Sequence, residues 1–169
     1  MKASGHDIWG QADGLYFLEM RMSGDVTITV RCVSGPTVTP DGNTWQLGGP
    51  MIRESLDARS RFALTQINRA EDFAFTRRSK FGAEIDDAKD YSSKTRADNE
   101  KRPVWVRLQR AGDEFHAWMS EDGATWVEIG TGAKIDGFAK EAYVGLSLSA
   151  REEGEYTTAV FDNFQITPP

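Results

Sequence analysis

Hydrophobic and polar residues alternate along most of the chain, a pattern typical of strands with one buried face. The stretches 26–33, 103–110 and 114–121 show it most clearly, and the last two are joined through Gly112 in a predicted hairpin. Further strands are predicted at 7–10, 14–22, 50–54, 61–68, 72–78, 125–131, 143–150 and 157–166. Turn residues separate these stretches, and no helical period of useful length occurs. The pattern therefore predicts an all-β fold, a two-sheet antiparallel β-sandwich of about ten or eleven strands.

The alternation also predicts which side chains face the core. In the hairpin, Val104, Val106 and Leu108 share one face, whereas Trp105 and Arg107 share the other. The side chains predicted to face the core from the earlier strands are Tyr16, Leu18, Met20, Met22, Val26, Ile28, Val30 and Cys32. We expect the single cysteine to be a buried structural thiol.

Residues 79–101 interrupt the alternation with mixed acidic, basic and small polar side chains. This composition predicts one long polar loop, which is either a solvated insertion or a lid over a sheet face. The chain of 169 residues is otherwise long enough for one core, so we expect a single domain over 1–169.

Charge argues against two classes of partner. The formal net charge is −6 and the pI is about 5.0, and no basic patch is evident, so neither nucleic acid nor an anionic membrane is expected. No stretch is apolar for the roughly 18 residues that a membrane span requires, and no signal-peptide pattern is seen.

A series of short motifs follows in order along nearly the whole chain. They are His6-Asp-Ile-Trp-Gly-Gln-Ala-Asp13, Ser23-Gly-Asp25, Met51-Ile-Arg-Glu-Ser55, Trp105-Val-Arg-Leu108, Ser120-Glu-Asp-Gly-Ala-Thr-Trp126, Tyr143-Val-Gly-Leu146 and Phe161-Asp-Asn163. The series resembles a bacterial module of the concanavalin A-like lectin/glucanase superfamily, a laminin-G-like jelly roll. The resemblance implies a secreted or cell-surface carbohydrate-active parent protein. It also implies one more strand before Asp7, which this chain begins too late to contain.

Enzymes are among the proteins with this fold, but the sequence lacks their catalytic patterns. No strand carries two carboxylates spaced for glycoside hydrolysis. Arg53 and Gln66-Ile67 resemble strands of alginate-cleaving polysaccharide lyases, yet Asn68 stands where a histidine is expected, and the tyrosine-bearing strand is missing. A glycoside hydrolase or lyase is therefore the less favoured interpretation.

Calcium is the metal that the sequence allows, because it binds carboxylates and carbonyls, and sandwich lectins often hold it near their terminal strands. Candidates by position are Asp7, Asp13, Asp25 and Asp162, although the capping of turns explains the same residues.

Binding of a glycan requires aromatic rings and hydrogen-bond donors on one surface. The predicted ligand-binding residues are Arg53, Gln66, Arg77, Trp105, Arg107 and Trp118. The sequence therefore favours a non-catalytic, lectin-like carbohydrate-binding accessory module. The alternative is a structural module that contacts neighbouring domains without affinity for sugar.

Overall fold

Two antiparallel sheets stack face to face, as the alternation predicts. The computed structural model describes residues 1–40, 42, 44–68, 72–86, 92–94 and 104–168. Within them the strands are β1 (Lys2–Gly5), β2 (Tyr16–Ser23), β3 (Val26–Ser34), β4 (Leu47–Arg53), β5 (Phe62–Asn68), β6 (Asp72–Arg78), β7 (Ser92–Lys94), β8 (Val104–Ala111), β9 (Glu114–Ser120), β10 (Val127–Glu128), β11 (Ala133–Lys134), β12 (Glu141–Ser149), β13 (Glu152–Thr158) and β14 (Val160–Thr167). No helix occurs in these ranges, and therefore none long and apolar enough to cross a membrane.

The strand order places the hairpin predicted from the sequence in one sheet. Sheet I has the order β10-β9-β8-β3-β14, with β11 also pairing with β9, and sheet II has the order β2-β12-β4-β5-β6-β7. Strands β1 and β13 form a separate two-stranded ribbon. The architecture is an all-β, jelly-roll-type sandwich.

The core between the sheets is built by the predicted alternation. Sheet I contributes one face each of β3, β8 and β9, and sheet II contributes residues of β4, β5, β6 and β12. Val104, Val106 and Leu108 are fully buried there, as is Cys32, so these predictions are confirmed. Strands β3, β8 and β9 thus each bury one face and leave the other more exposed.

Strands β4 and β5 of sheet II are buried on both faces, because three loops cover the outer side of the sheet. We call these loops, residues 6–15, 54–60 and 79–86, the cover. A second apolar cluster forms beneath them from Ile8, Leu15, Phe17, Leu47, Met51, Phe62, Leu64 and Ile85. As a result, all seven residues of β4 and all seven of β5 are buried.

A buried carboxylate between two arginines joins the cover to sheet II. Asp13 accepts hydrogen bonds from Arg78 at 2.7 Å and 2.8 Å and from Arg53 at 3.1 Å. The Asp13 and Arg78 side chains are 0% exposed and that of Arg53 is 3% exposed. Burial lowers the pKa of Arg53, and the charge of Asp13 opposes that shift.

Arg78 extends this ion triad to every loop of the cover. Its guanidinium donates to the carbonyl oxygens of Gly10, Ser60 and Ala83 at 2.7 Å, 3.1 Å and 2.9 Å. One side chain therefore holds a carbonyl from each of the three loops. Because its donors are so well satisfied, the charge is tolerated in an apolar setting.

Strand β2 departs from the prediction that its even-numbered residues belong to the core. Leu18 and Met20 are 57% and 52% exposed, and Tyr16 is exposed as well. They lie opposite Leu146, Val144 and Leu148 of β12, so they do point to the core side of sheet II. They remain exposed because β2 is the edge strand of sheet II, and β14, the edge strand of sheet I, leaves an apolar groove beside them.

Other boundaries also differ from the sequence predictions. Asp7 forms only an isolated bridge to Gly14 instead of a strand, and β1 does precede it, so the prediction that no earlier strand is present is wrong. Residues 152–156, between the predicted strands 143–150 and 157–166, belong to β13. The predicted loop 79–101 contains β7, and its positions 87–91 and 95–101 lie outside the described residues.

We expect Asp13→Ala to destabilise the protein by about 3–5 kcal/mol, because it leaves two buried guanidinium groups without their carboxylate. Chemical denaturation followed by circular dichroism measures this change. The control is Asp136→Ala, which removes the exposed Lys134–Asp136 ion pair and should leave the denaturation midpoint nearly unchanged. Equal midpoints for the two variants would contradict a structural role of the triad.

Candidate functional site

The outer face of sheet I carries polar and aromatic side chains in cross-strand rows. One row runs from Gln165 of β14 through Thr29 of β3 and Arg107 of β8 to Trp118 of β9. The next row places Arg31 opposite Trp105. Directly opposed residues of antiparallel strands lie on the same face, so these side chains share one surface.

A groove of about 440 Å³ lies across this surface. The described residues that line it are Thr27, Thr29, Trp105, Arg107, Gln109, Gly123, Trp126, Gln165, Thr167 and Pro168. Two indole rings, a guanidinium, two side-chain amides and three hydroxyls therefore surround one open space. Such a groove can stack a flat apolar surface and hydrogen-bond to the polar edge of the same ligand.

Arg107 lies at the centre of the groove. Its Nε donates to Thr29 Oγ1 at 3.2 Å, and its guanidinium carbon lies 3.8 Å from the centroid of the Trp126 ring. Burial lowers the pKa of Arg107 because desolvation disfavours the charged form. Gln109 beside it donates to Thr27 Oγ1 at 3.0 Å, so the polar side chains of β8 are oriented by hydroxyls of β3.

Trp105 is held between an ion pair and a turn. Arg31 forms a bidentate pair with Asp162 and lies 5.9 Å from the Trp105 ring. On the other side the turn 120–125 carries Gly123, where a Cβ would come within 2.9 Å of the indole.

Asp122 orders that turn. It accepts hydrogen bonds from the backbone N–H groups of Thr125 and Ala124 at 2.7 Å and 2.8 Å and from the Ser120 hydroxyl at 3.0 Å. These bonds hold the pKa of Asp122 below its ordinary range. The position of the indole is therefore set by backbone geometry as well as by neighbouring side chains.

The structure brings three of the six predicted ligand residues to this face. Trp105 and Arg107 line the groove. Trp118 lies opposite Arg107 on β9 but beyond the lining, where its ring stacks on His116 at 5.6 Å. His116 in turn contacts Glu128 of β10 at 2.7 Å.

The other three predicted residues lie on sheet II. Arg53 and Gln66 point to its outer face under the cover, where Arg53 pairs with Asp13 and Gln66 accepts a bond from Thr76 at 3.0 Å. Arg77 lies on the opposite face of that sheet and pairs with Asp86 at 2.8 Å. The prediction that all six residues share one surface is therefore wrong, because these three lie on sheet II and the other three lie on sheet I.

The four aspartates considered for calcium do not come together. Asp7 pairs with Arg151 at 3.0 Å, and burial raises its pKa, whereas Asp13 belongs to the buried triad. Asp162 pairs with Arg31, and Asp25 accepts a bond from the Gly112 N–H at 2.7 Å. Within the described ranges no three acidic, histidine or cysteine side chains form a group that could hold a metal ion.

Trp126 is a groove residue that the sequence does not reveal. It occurs in the motif Ser120–Trp126, for which a core position is the simplest interpretation, and it lies just outside a regular strand. Its stacking on Arg107 depends on the turn that precedes it, so strand alternation carries no signal for it.

Comparison with known proteins supports the fold. No protein-family model and no curated protein sequence matches the chain. Among solved structures, a functionally unknown protein from Saccharomyces cerevisiae matches with a TM-score of 0.71 and 17% identity, over 100% of this chain and 86% of that one.

Two further matches are carbohydrate-binding proteins. The carbohydrate-binding module CBM66 from Bacillus subtilis matches with a TM-score of 0.55 and 19% identity, over 92% of this chain and 82% of the module. The exoplasmic/lumenal domain of VIP36, in a form with bound Ca²⁺ and mannose, matches with a TM-score of 0.56 and 8% identity, over 99% and 82%. Enzymes are also among the matching structures. At these identities the likeness shows the concanavalin-like, jelly-roll fold alone.

We expect Gly123→Ala to displace the Trp105 ring, because the new methyl group would overlap the indole. Gly123 has φ +76°, so the substitution also strains the backbone. Gly112→Ala is the matched control, since Gly112 has φ +62° but no atom lies within 4 Å of the position that its new methyl group would take.

Both variants should lose more than about 1 kcal/mol of stability from backbone strain. Only Gly123→Ala should change the tryptophan emission spectrum of the folded protein. An unchanged spectrum in Gly123→Ala would contradict the packing of the Trp105 ring against Gly123.

Proposed function

We propose that the chain is a non-catalytic carbohydrate-binding module that holds a glycan in the groove of sheet I. The observation that carries the proposal is the convergence of Trp105, Trp126 and Arg107 on one open surface. A pyranose ring has an apolar face that stacks on indole and a rim of hydroxyls that accept and donate hydrogen bonds.

The outer faces of the two sheets differ in their exposure to solvent, and this difference supports the assignment. The outer face of sheet II is sealed by the cover, whereas the groove of sheet I is open to solvent and has the volume of a small-ligand site. Its rings and donors are already held by Thr29, Thr27, Arg31 and the turn 120–125. Binding to a preformed site loses less conformational entropy than binding that orders a loop.

The groove favours binding over hydrolysis. None of the described residues that line it is a carboxylate, whereas glycoside hydrolysis uses a pair of carboxylic acids placed about 5–10 Å apart. Arg53 and Gln66, the residues that resemble lyase strands, lie buried under the cover.

Proteins with a similar fold support an accessory role in a larger protein. They include a carbohydrate-binding module and a domain with bound Ca²⁺ and mannose, and the chain covers 28% of a GH43 protein chain and 32% of a xylan beta-1,4-xylosidase chain. We therefore propose an accessory role beside the other domains of a secreted or cell-surface protein.

We expect Trp105→Ala to weaken glycan binding at least about tenfold, or about 1.4 kcal/mol, with little change in the unfolding midpoint. Titration of tryptophan fluorescence with a panel of neutral and acidic oligosaccharides, each with calcium and with chelator, measures the affinity. Tyr156→Ala is the control, because Tyr156 is an exposed aromatic residue of β13 that is not part of the groove.

Arg53→Ala distinguishes the two sheets in the same assay. We expect it to lower stability through the buried triad instead of removing a sugar contact. Binding that survives Trp105→Ala would remove the groove from the proposal. A folded protein with no response to any sugar would favour the domain-contact module.

A further inference from the structure

One charge dominates the groove. Of the ten described residues that line it, Arg107 alone is charged, and the other nine are neutral. This cationic site belongs to a chain with a formal net charge of −6. The groove therefore differs in electrostatic character from the protein as a whole.

Within the part of the chain that the structure describes, Arg107 forms no ion pair with a carboxylate, unlike Arg31, Arg53 and Arg78. Arg31 on the same face pairs with Asp162, and on sheet II Arg53 and Arg78 share Asp13. Among the described residues Arg107 contacts a hydroxyl and an indole ring, and burial is the sole cause of its lowered pKa. A half-buried guanidinium whose desolvation is not offset by an anion favours an anionic ligand.

We propose that the bound sugar carries an anionic group, a carboxylate or a sulfate ester, that pairs with Arg107. The inference rests on the proposed function, since it names the class of glycan for the same groove. With Nε directed to Thr29, the two terminal nitrogens of Arg107 present coplanar N–H donors, a geometry that suits two oxygens of one anion. Trp105 and Trp126 then contact the sugar ring while Gln109 and Thr167 lie beside its hydroxyls.

Calorimetric titration with matched glycans tests the proposal. Each uronic-acid oligosaccharide of a panel is compared with its carboxyl-reduced neutral counterpart. In a third arm, neutral oligosaccharides are compared with their sulfate esters. We expect at least one anionic member to bind ten times or more tighter than its neutral counterpart, and more weakly as salt is raised. The uronic and sulfated arms identify which anion is recognised.

Arg107→Gln separates recognition of the anionic group from binding of the sugar ring. It should abolish the preference for the anionic sugar and leave the weaker neutral binding that the tryptophans provide. Equal binding of charged and neutral sugars by the unmodified protein would overturn the anionic class and leave the carbohydrate-binding function standing. Absence of binding in every arm would overturn both.

An independent observation concerns the edge of sheet II. Strand β2 pairs with β12 on one side, and its other edge has no partner strand among the described residues. This edge displays Leu18 and Met20 on one face, and Glu19 and Arg21 on the other. Exposed edges with apolar side chains are templates for pairing with another strand.

The charges of β2 are self-complementary in one antiparallel register. Pairing centred on Met20 places Glu19 opposite Arg21 of a second copy, twice by symmetry, and Leu18 opposite Met22. If the pairing is centred on Glu19 instead, the Glu19 side chains of the two copies lie opposite each other. If it is centred on Arg21, the two Arg21 side chains lie opposite each other. A register centred midway between two residues would pair the apolar face of β2 in one copy with its charged face in the other. The pleat of the strands excludes such a register.

We infer that β2 is a homodimer contact in which two copies pair antiparallel about Met20 and their sheets II become continuous. The contact is isologous, so a twofold axis closes it without further growth. It covers the edge and brings the exposed Leu18 and Met20 side chains of the two copies together. Arg21 keeps its exposed partner Glu141 at 2.5 Å while it gains the glutamate of the second copy.

Charge exchange tests the register. Analytical ultracentrifugation should show a concentration-dependent dimer for the natural sequence, a large loss of association for Glu19→Arg and for Arg21→Glu, and recovery in the double exchange. Thermal unfolding of each variant confirms that the monomer remains folded. A natural sequence that is monomeric at about 100 μM, or single variants that dimerise equally well, would overturn the inference.

Discussion

The contact on which the molecule depends is the buried carboxylate of Asp13 between Arg53 and Arg78. These charges are expensive to bury unless every donor is satisfied, and the loop carbonyls around Arg78 satisfy them. The triad thereby fixes the cover over sheet II, and the apolar cluster under the cover completes a second core. Once sheet II is closed in this way, the open polar and aromatic groove belongs to sheet I.

On sheet I the same strands line both the core and the proposed binding groove. Along β8 the residues Val104, Val106 and Leu108 enter the core, while Trp105, Arg107 and Gln109 between them face the groove. Hydroxyls of β3 and the turn 120–125 hold these polar and aromatic side chains from the sides. The site therefore inherits the rigidity of the sandwich without requiring a mobile loop to form it.

The fold and half of the predicted site follow from alternation, because period-two patterning determines both faces of β8 and β9. The burial of Arg53, in contrast, does not follow from alternation. Its outward direction is predicted, but its burial depends on Asp13, which is 40 positions away, and on loops whose path has no periodic signal.

The same limit applies to Leu18 and Met20. They face the core side, as their spacing indicates, yet exposure depends on how far the opposite sheet extends. Trp126 escapes the prediction because a turn, rather than a strand, places it in the groove. Long-range packing, therefore, and not local conformation, decides the parts that the sequence does not reveal.

The separation of the two faces of β8 has a consequence for how this protein can change. Thr27, Thr29, Gln109, Gln165 and Thr167 line the groove and do not belong to the apolar clusters of either sheet. Substitutions at these positions can change the chemistry of the groove while the interior retains its volume and its contacts. The groove can thus diverge by substitution at its surface with little selective pressure from folding.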